Sequence, residues 1–421
     1  MIWLTLAISA VATVAAAYSR NRVPVRISII IGAAVRVVFA LMVSQRYTPK
    51  DTRLYFKDTA LLVLAGKEPL QHLPGREWNF LELMPYIHAL EYKLGLSWVY
   101  AEKIAPIIAD VVIIWLVSKL ATKDAPTRAL QYALNPLSLL VVSLHGQVEP
   151  VALAFALGGI LLLKRDHPVL AGVLLGAAVA AKTWPVIILL AVLPLTQPKR
   201  IAQIVGGSLI VPMACLYSGV VFLNTNIVHS VARLLSYAGY VRLWTWSGTV
   251  LLLSKTNIAG YYSPLSSTGT AFIIIGVAVA LYLLRRHPPE MRALGALCAV
   301  LICTAGFGPQ YLLWVLPLAF ALSSDKWRNW YVAAAAGWAA IFYLPPFTPD
   351  NSYGFLRGLS WFPAALLVAI FYEVYRQKPD ELSSVPEAPL RDPVPADTEV
   401  GMPLSFPPVA SLPSEDVSAA S

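Results

Sequence analysis

The chain is written as long apolar blocks parted by short polar ones. Apolar runs fall near 2–18, 27–44, 99–119, 129–145, 150–164, 168–182, 184–197, 202–222, 268–284, 291–306, 310–323, 329–346 and 357–375. A membrane-crossing helix needs about 20 mainly apolar residues, with about 17 as the short limit. Shorter neighbours tilt, merge or re-enter. The pattern predicts an all-α, polytopic membrane protein of about thirteen crossings, eleven at the fewest. Two polar intervals are long, 45–98 and 224–268.

Charge gives the runs a direction. Basic residues recur in alternate intervals: Arg20, Arg22 and Arg26; Lys119, Lys123 and Arg128; Lys164 and Arg165; Lys199 and Arg200; Arg285, Arg286 and Arg292; Lys326 and Arg328; Arg376 and Lys378. One orientation puts every cluster in the cytoplasm, as the positive-inside rule requires, and starts Met1 outside. No A-x-A-like site marks a mature start, so the first run reads as a span rather than a signal peptide. Both long intervals then face outward, together with the turns "HGQVEP", "AKTWP" and "GFGPQY". Residues 1–378 form the membrane domain. Residues 379–421 are Pro-, Ser- and acid-rich and read as a disordered cytoplasmic tail.

Composition agrees. The 421 residues are 57% hydrophobic and 13% charged, where a soluble domain carries roughly 25% charged residues. The net charge of +9 lies between spans and marks topology, so no nucleic-acid partner is expected. Cys215, Cys298 and Cys303 sit in apolar runs and read as small buried hydrophobes. No C-x-x-C pair, zinc-spaced cluster, Walker loop or G-x-G-x-x-G element occurs, which removes support for nucleotide-driven chemistry.

Chemistry-bearing residues concentrate on the outward side. Arg36 and Asp110 are the exception: both lie inside apparent spans, where a charge is costly, and read equally as a buried ion pair or a functional pair. Asp51 stands just beyond a span, where a carboxylate stays ionised and reaches a headgroup hydroxyl. Asp58 is two helical turns further on and shares its face if the segment is helical. "GREWNFLELMPYIHALEYKLG" mixes Trp78, Phe80, Tyr86 and Tyr92 with Glu82, His88 and Lys93, which suits a helix in the headgroup plane. The second interval carries His229, Arg233, Arg242, Trp244 and Trp246, either a lipid-phosphate site or an aromatic belt with snorkelling arginines. His145, Gln147 and Glu149 make "HGQVEP" richer than a hairpin needs. Lys182 in "AKTWP" runs against the charge bias, and Gln310 and Tyr311 complete the set.

Asp51, Tyr55, Gly66 and Pro69, then "ELMPYIHAL", "HGQVEP", "LAGVLLGAAVAAKTWPVIILLAVLP" and "GPQYLLWVLPL" follow one another over about residues 27–375. In this order they resemble the GT-C class of integral-membrane glycosyltransferases. The resemblance is strongest to bacterial polyprenyl-phosphate-mannose-dependent mannosyltransferases and more distant to the first mannosyltransferase of GPI-anchor synthesis. Departures are visible: Glu149 stands where Asp is usual, Leu70 follows Pro69, and Pro49 replaces the first Asp of the GPI enzyme's D-x-D.

The resemblance implies inverting transfer of a hexose, mannose first, from a polyprenyl-phosphate donor. The acceptor would be a glycolipid or glycan hydroxyl on the extracytoplasmic face, among membrane lipids. Asp51 would be the base, with Asp58 in support. Lys182, His145, Arg242 and Arg233 would face the leaving phosphate, while Gln147, Glu149, Gln310 and Tyr311 would position sugar hydroxyls. No cofactor is expected, since a divalent metal has no dedicated ligand cluster. Ala- and Val-rich spans and the family likeness favour a bacterial plasma membrane over the ER. A flippase or transporter working around Arg36 and Asp110, or an inactive accessory protein, stays open as an alternative.

Overall fold

The computed structural model describes residues 2–18, 23–47, 49–73, 78, 80–194, 196–236, 240–254, 264–344 and 349–377. Arg20, Arg22, Lys378 and the tail from residue 379 lie outside the described residues. Among the described residues every regular element is helical, in agreement with the all-α reading.

Four helices there are long and apolar enough to cross a membrane: Val25–Val43, Pro198–Leu223, Pro264–Leu283 and Gly354–Arg376. Their outer surfaces carry exposed Leu209, Ile210, Met213, Phe222, Phe272, Ile274 and Ile275. A contiguous apolar exterior of this kind suits lipid and not water. The remaining apolar runs also meet helices, most of them shorter. Ile104–Leu120 has 17 residues, Glu149–Lys164 16 and Pro168–Ala181 14.

Proline explains several of the breaks. The run at 129–145 divides at Asn135, held extended (φ −66°, ψ 134°) by Pro136 behind it. The run at 310–323 becomes a 3₁₀ turn, Pro309–Leu313, and a short helix, Leu316–Leu322. Glycine explains the closest packing. A Cβ on Gly176 would stand 2.2 Å from the Ser208 carbonyl oxygen, so Pro168–Ala181 and Pro198–Leu223 meet backbone to backbone.

The intervals assigned to the cytoplasm hold one another by charge. Arg128 pairs with Asp325 (2.5 Å), Lys164 with Glu290 (2.5 Å) and Arg200 with Asp166 (3.2 Å). Between the two ends, Arg36 and Asp110 form a closed network. Arg36 Nε donates to Asp110 (2.5 Å), and its other nitrogens donate to the carbonyls of Gly32 (3.0 Å) and Ala133 (2.8 Å) and to Ser138 (3.0 Å). Asp110 also accepts from the hydroxyls of Tyr132 (2.6 Å) and Ser138.

The outward intervals differ from expectation in depth. Interval 45–98 folds into helical pieces, among them Asp51–Phe56, Lys57–Leu64, Pro69–His72 and Leu83–Lys93. Its aromatic residues do not lie free among headgroups. Trp78 and His88 are fully buried, and Phe56 stacks on His88 at 4.9 Å between ring centres. Trp244 of the second interval is likewise buried, stacked on Phe307 at 3.8 Å, with its N–H on the Leu301 carbonyl. Rings written as a belt are spent on internal packing. The three cysteines are free: Cys215 and Cys298 are buried, Cys303 partly so.

Candidate active site

Two wide turns build the centre of the site. Asp51–Phe56 and Leu139–His145 are both π-helical, with i→i+5 hydrogen bonds. Asp51 opens the first and His145 closes the second. The Trp98 indole N–H braces the first turn on the Thr52 carbonyl (2.9 Å). The second ends at Gly146, whose φ of +79° belongs to glycine. A Cβ there would stand in ordinary contact with Glu102 and Lys103 (3.4 Å each), so the backbone conformation and not space reserves the position. The left-handed step then turns Gln147 back toward Asp51.

These turns bring together residues 94 apart in sequence. His145 Nε2 lies 3.0 and 3.1 Å from the two Asp51 oxygens, and Gln147 Nε2 donates to Oδ2 at 2.7 Å. The Thr52 backbone N–H donates to Oδ1 (3.0 Å). On the far side of the ring, His145 Nδ1 meets the Tyr343 hydroxyl at 2.6 Å. That hydroxyl donates or accepts, so it serves either tautomer of the ring, and Gln147 Nε2 also lies 2.7 Å from His145 Nε2.

Burial pushes the Asp51 carboxyl up. His145, by charge and hydrogen bond, and the Thr52 N–H outweigh it and hold the group below the usual carboxylate range. Asp51 is therefore ionised at neutral pH. Its side chain remains 37% exposed while His145 is buried, so the carboxylate has one open side. Nearby, the Tyr47 hydroxyl is pushed up to about 12 by burial and by the Asp51 charge.

Two residues past Gln147 the same turn starts a helix with Glu149. Lys182, in extended conformation at the end of Pro168–Ala181 (φ −158°, ψ 143°), donates to Glu149 Oε1. Its ammonium also lies 4.9 Å from the centre of the Phe80 ring. Glu149 Oε2 is buried without a hydrogen-bond partner. Phe80 packs edge-on to Trp78 (4.7 Å), and Trp78 to Phe56 (5.9 Å), which links the lysine to the turn that carries Asp51. The site thus has an ionised carboxylate with an open side and, joined to its turn through Phe80, Trp78 and Phe56, a buried lysine held by a carboxylate with spare capacity.

The other expected residues fall elsewhere. Asp58 is exposed on Lys57–Leu64 and is not brought to the Asp51 cluster. The shared face assumed α-helical spacing, and a π turn intervenes, so seven residues no longer make two turns. Arg233 donates to the Leu73 carbonyl (2.5 Å) and joins the two outward intervals. Arg242 Nη1 donates to the Tyr240 hydroxyl (3.3 Å). Gln310 is half-buried in the 3₁₀ turn. Tyr311 tilts over Trp314 at 4.3 Å between ring centres.

Three residues at the site went unread in the sequence. Tyr343 looked like any tyrosine at a span's end. Glu102 and Lys103 carried a signal, two ionisable groups inside an apparent span. Both are buried under the "HGQVEP" turn, with Lys103 Nζ on the Leu144 carbonyl (2.7 Å) and 3.8 Å from Glu102. Among the described residues no group of three or more His, Cys, Asp and Glu side chains stands close enough to hold a metal ion.

Apolar helices with a lipid-suited exterior, and a half-open polar cluster at their outward-assigned ends, define a membrane protein with a place for chemistry at one face. The profile of glycosyltransferase family 87 matches residues 82–305, more than half of the chain, and the chain belongs to that family. It is a membrane glycosyltransferase of the GT-C-like kind. His145, Gln147, Glu149, Lys182, Arg233 and Arg242 lie within the match; Asp51, Asp58, Gln310 and Tyr311 lie outside it. No curated protein matches the chain.

Proposed function

We propose that the protein is an inverting hexosyltransferase that takes its sugar, mannose first, from a polyprenyl-phosphate donor. The acceptor is a hydroxyl of a glycolipid or glycan on the extracytoplasmic face, in a bacterial plasma membrane crossed about thirteen times. The observation that carries the reading is the open-sided Asp51 carboxylate, fixed by His145, Gln147 and Thr52.

The acceptor oxygen attacks C1 of the donor sugar and its proton passes to Asp51. The C1–O bond to phosphate breaks, and its electron pair leaves with the polyprenyl phosphate. One base on the acceptor's side and no covalent intermediate suffice for inversion, as in inverting glycosidases. Lys182 meets the charge that develops on the leaving phosphate. It is already desolvated and oriented, which makes each electrostatic contact stronger than in water. Glu149 holds Lys182 with one oxygen and offers the other to a sugar hydroxyl. Arg233 and Arg242 stand as further phosphate contacts, and Gln310 and Tyr311 as sugar contacts. Asp58, exposed, keeps at most a supporting part.

Purified full-length protein is incubated with labelled polyprenyl-phosphate hexoses and a membrane-lipid extract, and the products are identified. Asp51→Asn lowers transfer by about 10²–10⁴-fold, the usual contribution of a positioned general base, with an unchanged thermal melt. Normal turnover by Asp51→Asn would sink the base assignment, and transfer from a nucleotide sugar alone would sink the donor class.

A further inference from the structure

A second concavity lies beside the catalytic residues. Two residues beyond Lys182, Trp184 stacks on Trp314 with ring centres 4.2 Å apart and planes at 12°. The pair lines a cavity of about 190 Å³ that also meets Tyr311, Ser266, Thr270 and Thr304. Both indoles are buried, and both indole N–H groups lack a hydrogen-bond partner. An unpaired buried donor is costly and is rarely left so without a role.

Depth also singles it out. The charge bias runs Pro168–Ala181 and Pro289–Cys303 from inside to outside and starts Pro264–Leu283 outside. Trp184, Thr304 and Ser266 therefore lie at the outward ends of these segments, on the same face as Asp51. Whole-ligand pockets commonly enclose about 300–1,000 Å³, so this space suits one ring and not a whole lipid-linked glycan.

We propose that this cavity is a subsite for one pyranose ring of a sugar-bearing lipid substrate. The apolar C–H face of the sugar lies against the electron-rich aromatic faces lining the cavity. Its hydroxyls donate to the oxygens of Thr270 and Thr304, whose own protons are held by backbone carbonyls, and accept from the free indole donors. An isoprenoid chain would need neither. The inference rests on the reading of the chain as a transferase acting on sugar-bearing lipids, and it places one sugar next to Lys182.

The test is saturation-transfer NMR on the full-length protein in nanodiscs, with methyl α-D-mannopyranoside and methyl β-D-glucopyranoside as probes and farnesyl phosphate as competitor. Ring protons of at least one glycoside receive saturation from the protein. The signal falls at least fivefold in Trp314→Ala, and equally in Thr270→Phe, which fills the space from the exposed side of its helix and leaves both indoles in place. Farnesyl phosphate does not displace it. No saturation in the unmodified protein, an unchanged signal in Thr270→Phe, or displacement by farnesyl phosphate overturns the subsite.

Asp51→Asn keeps the signal while losing transfer, so a failed base assignment and a failed subsite read out separately. In turnover assays a rise in acceptor KM for Thr270→Phe assigns the ring to the acceptor, and a rise in donor KM assigns it to the donor.

Discussion

Arg36 with Asp110 and Asp51 with His145 are both carboxylate–cation pairings in an apolar chain, yet they are finished differently. Every nitrogen of the Arg36 guanidinium has an acceptor, and Asp110 has three donors around it. Both side chains are fully buried. Neither group has a face open to a ligand. Asp51 has its partners on one side only and is open on the other. Polarity that serves packing is enclosed and has a partner at every nitrogen and oxygen, because an unmet group costs stability. Polarity that serves chemistry keeps some bonding capacity in reserve.

The contrast is easiest to break at its closed end. Arg36→Ala leaves Asp110 as a buried charge without its cation, and removing one partner of such a pair costs about 3–5 kcal/mol. Folded yield and thermal melts of the solubilised full chain should show a loss of that size. The paired change Arg36→Met with Asp110→Leu should fold and retain transfer, since an apolar replacement of a buried ion pair is often neutral. A folded double variant without transfer would move function to the membrane interior and revive the transporter reading.

Glu82 sits between the two cases. It is buried near Thr225 and Glu68, one oxygen lacks a partner, and burial, with the Glu68 charge adding, pushes its carboxyl up to about 7. A folded-state value above the unfolded one means stability present at low pH and lost as pH rises from about 4.5 through about 7. The loss amounts to at most about 3 kcal/mol, at 1.36 kcal/mol per unit. Melting temperature against pH should fall over that window in the native chain and fall less steeply in Glu82→Gln. Parallel profiles would show that Glu82 is not the group responsible.

A smaller effect probes the open end. Tyr343→Phe removes the hydroxyl behind His145 and leaves the ring packing, so kcat should drop about tenfold, or about 1.4 kcal/mol, with KM unchanged. The acid limb of the rate profile should move to higher pH, because a loosened His145 ring gives up part of the hydrogen bond that holds the Asp51 carboxyl low. A purely structural hydroxyl would lower the melting temperature and leave the profile where it was.

Hydropathy made the helices legible. All thirteen apolar runs meet helices, because the length of an apolar run and the need to pair backbone groups are local properties. Charge bias expects Asp51, His145 and Gln147 on one face, and these three side chains meet. Two things were out of reach. The meeting of Asp51 with His145 spans 94 residues and depends on packing between helices. The separation of Asp58 from the Asp51 cluster depends on a π turn, which leaves no mark on apolar periodicity. Tyr343 was hidden for the first reason, and the depth of Trp244 because a ring suits a core and an interface equally.

The wide turn at Asp51–Phe56 has a consequence for how this face tolerates change. An ordinary helix would fit the same residues with one fewer in the circuit, and losing that residue rotates what precedes it by about 100° around the axis. Composition and hydropathy would be untouched while the carboxylate swung away from His145. Along these six residues the geometry is stored in chain length as much as in side-chain identity. A single codon gained or lost there moves the carboxylate even where every remaining side chain is kept.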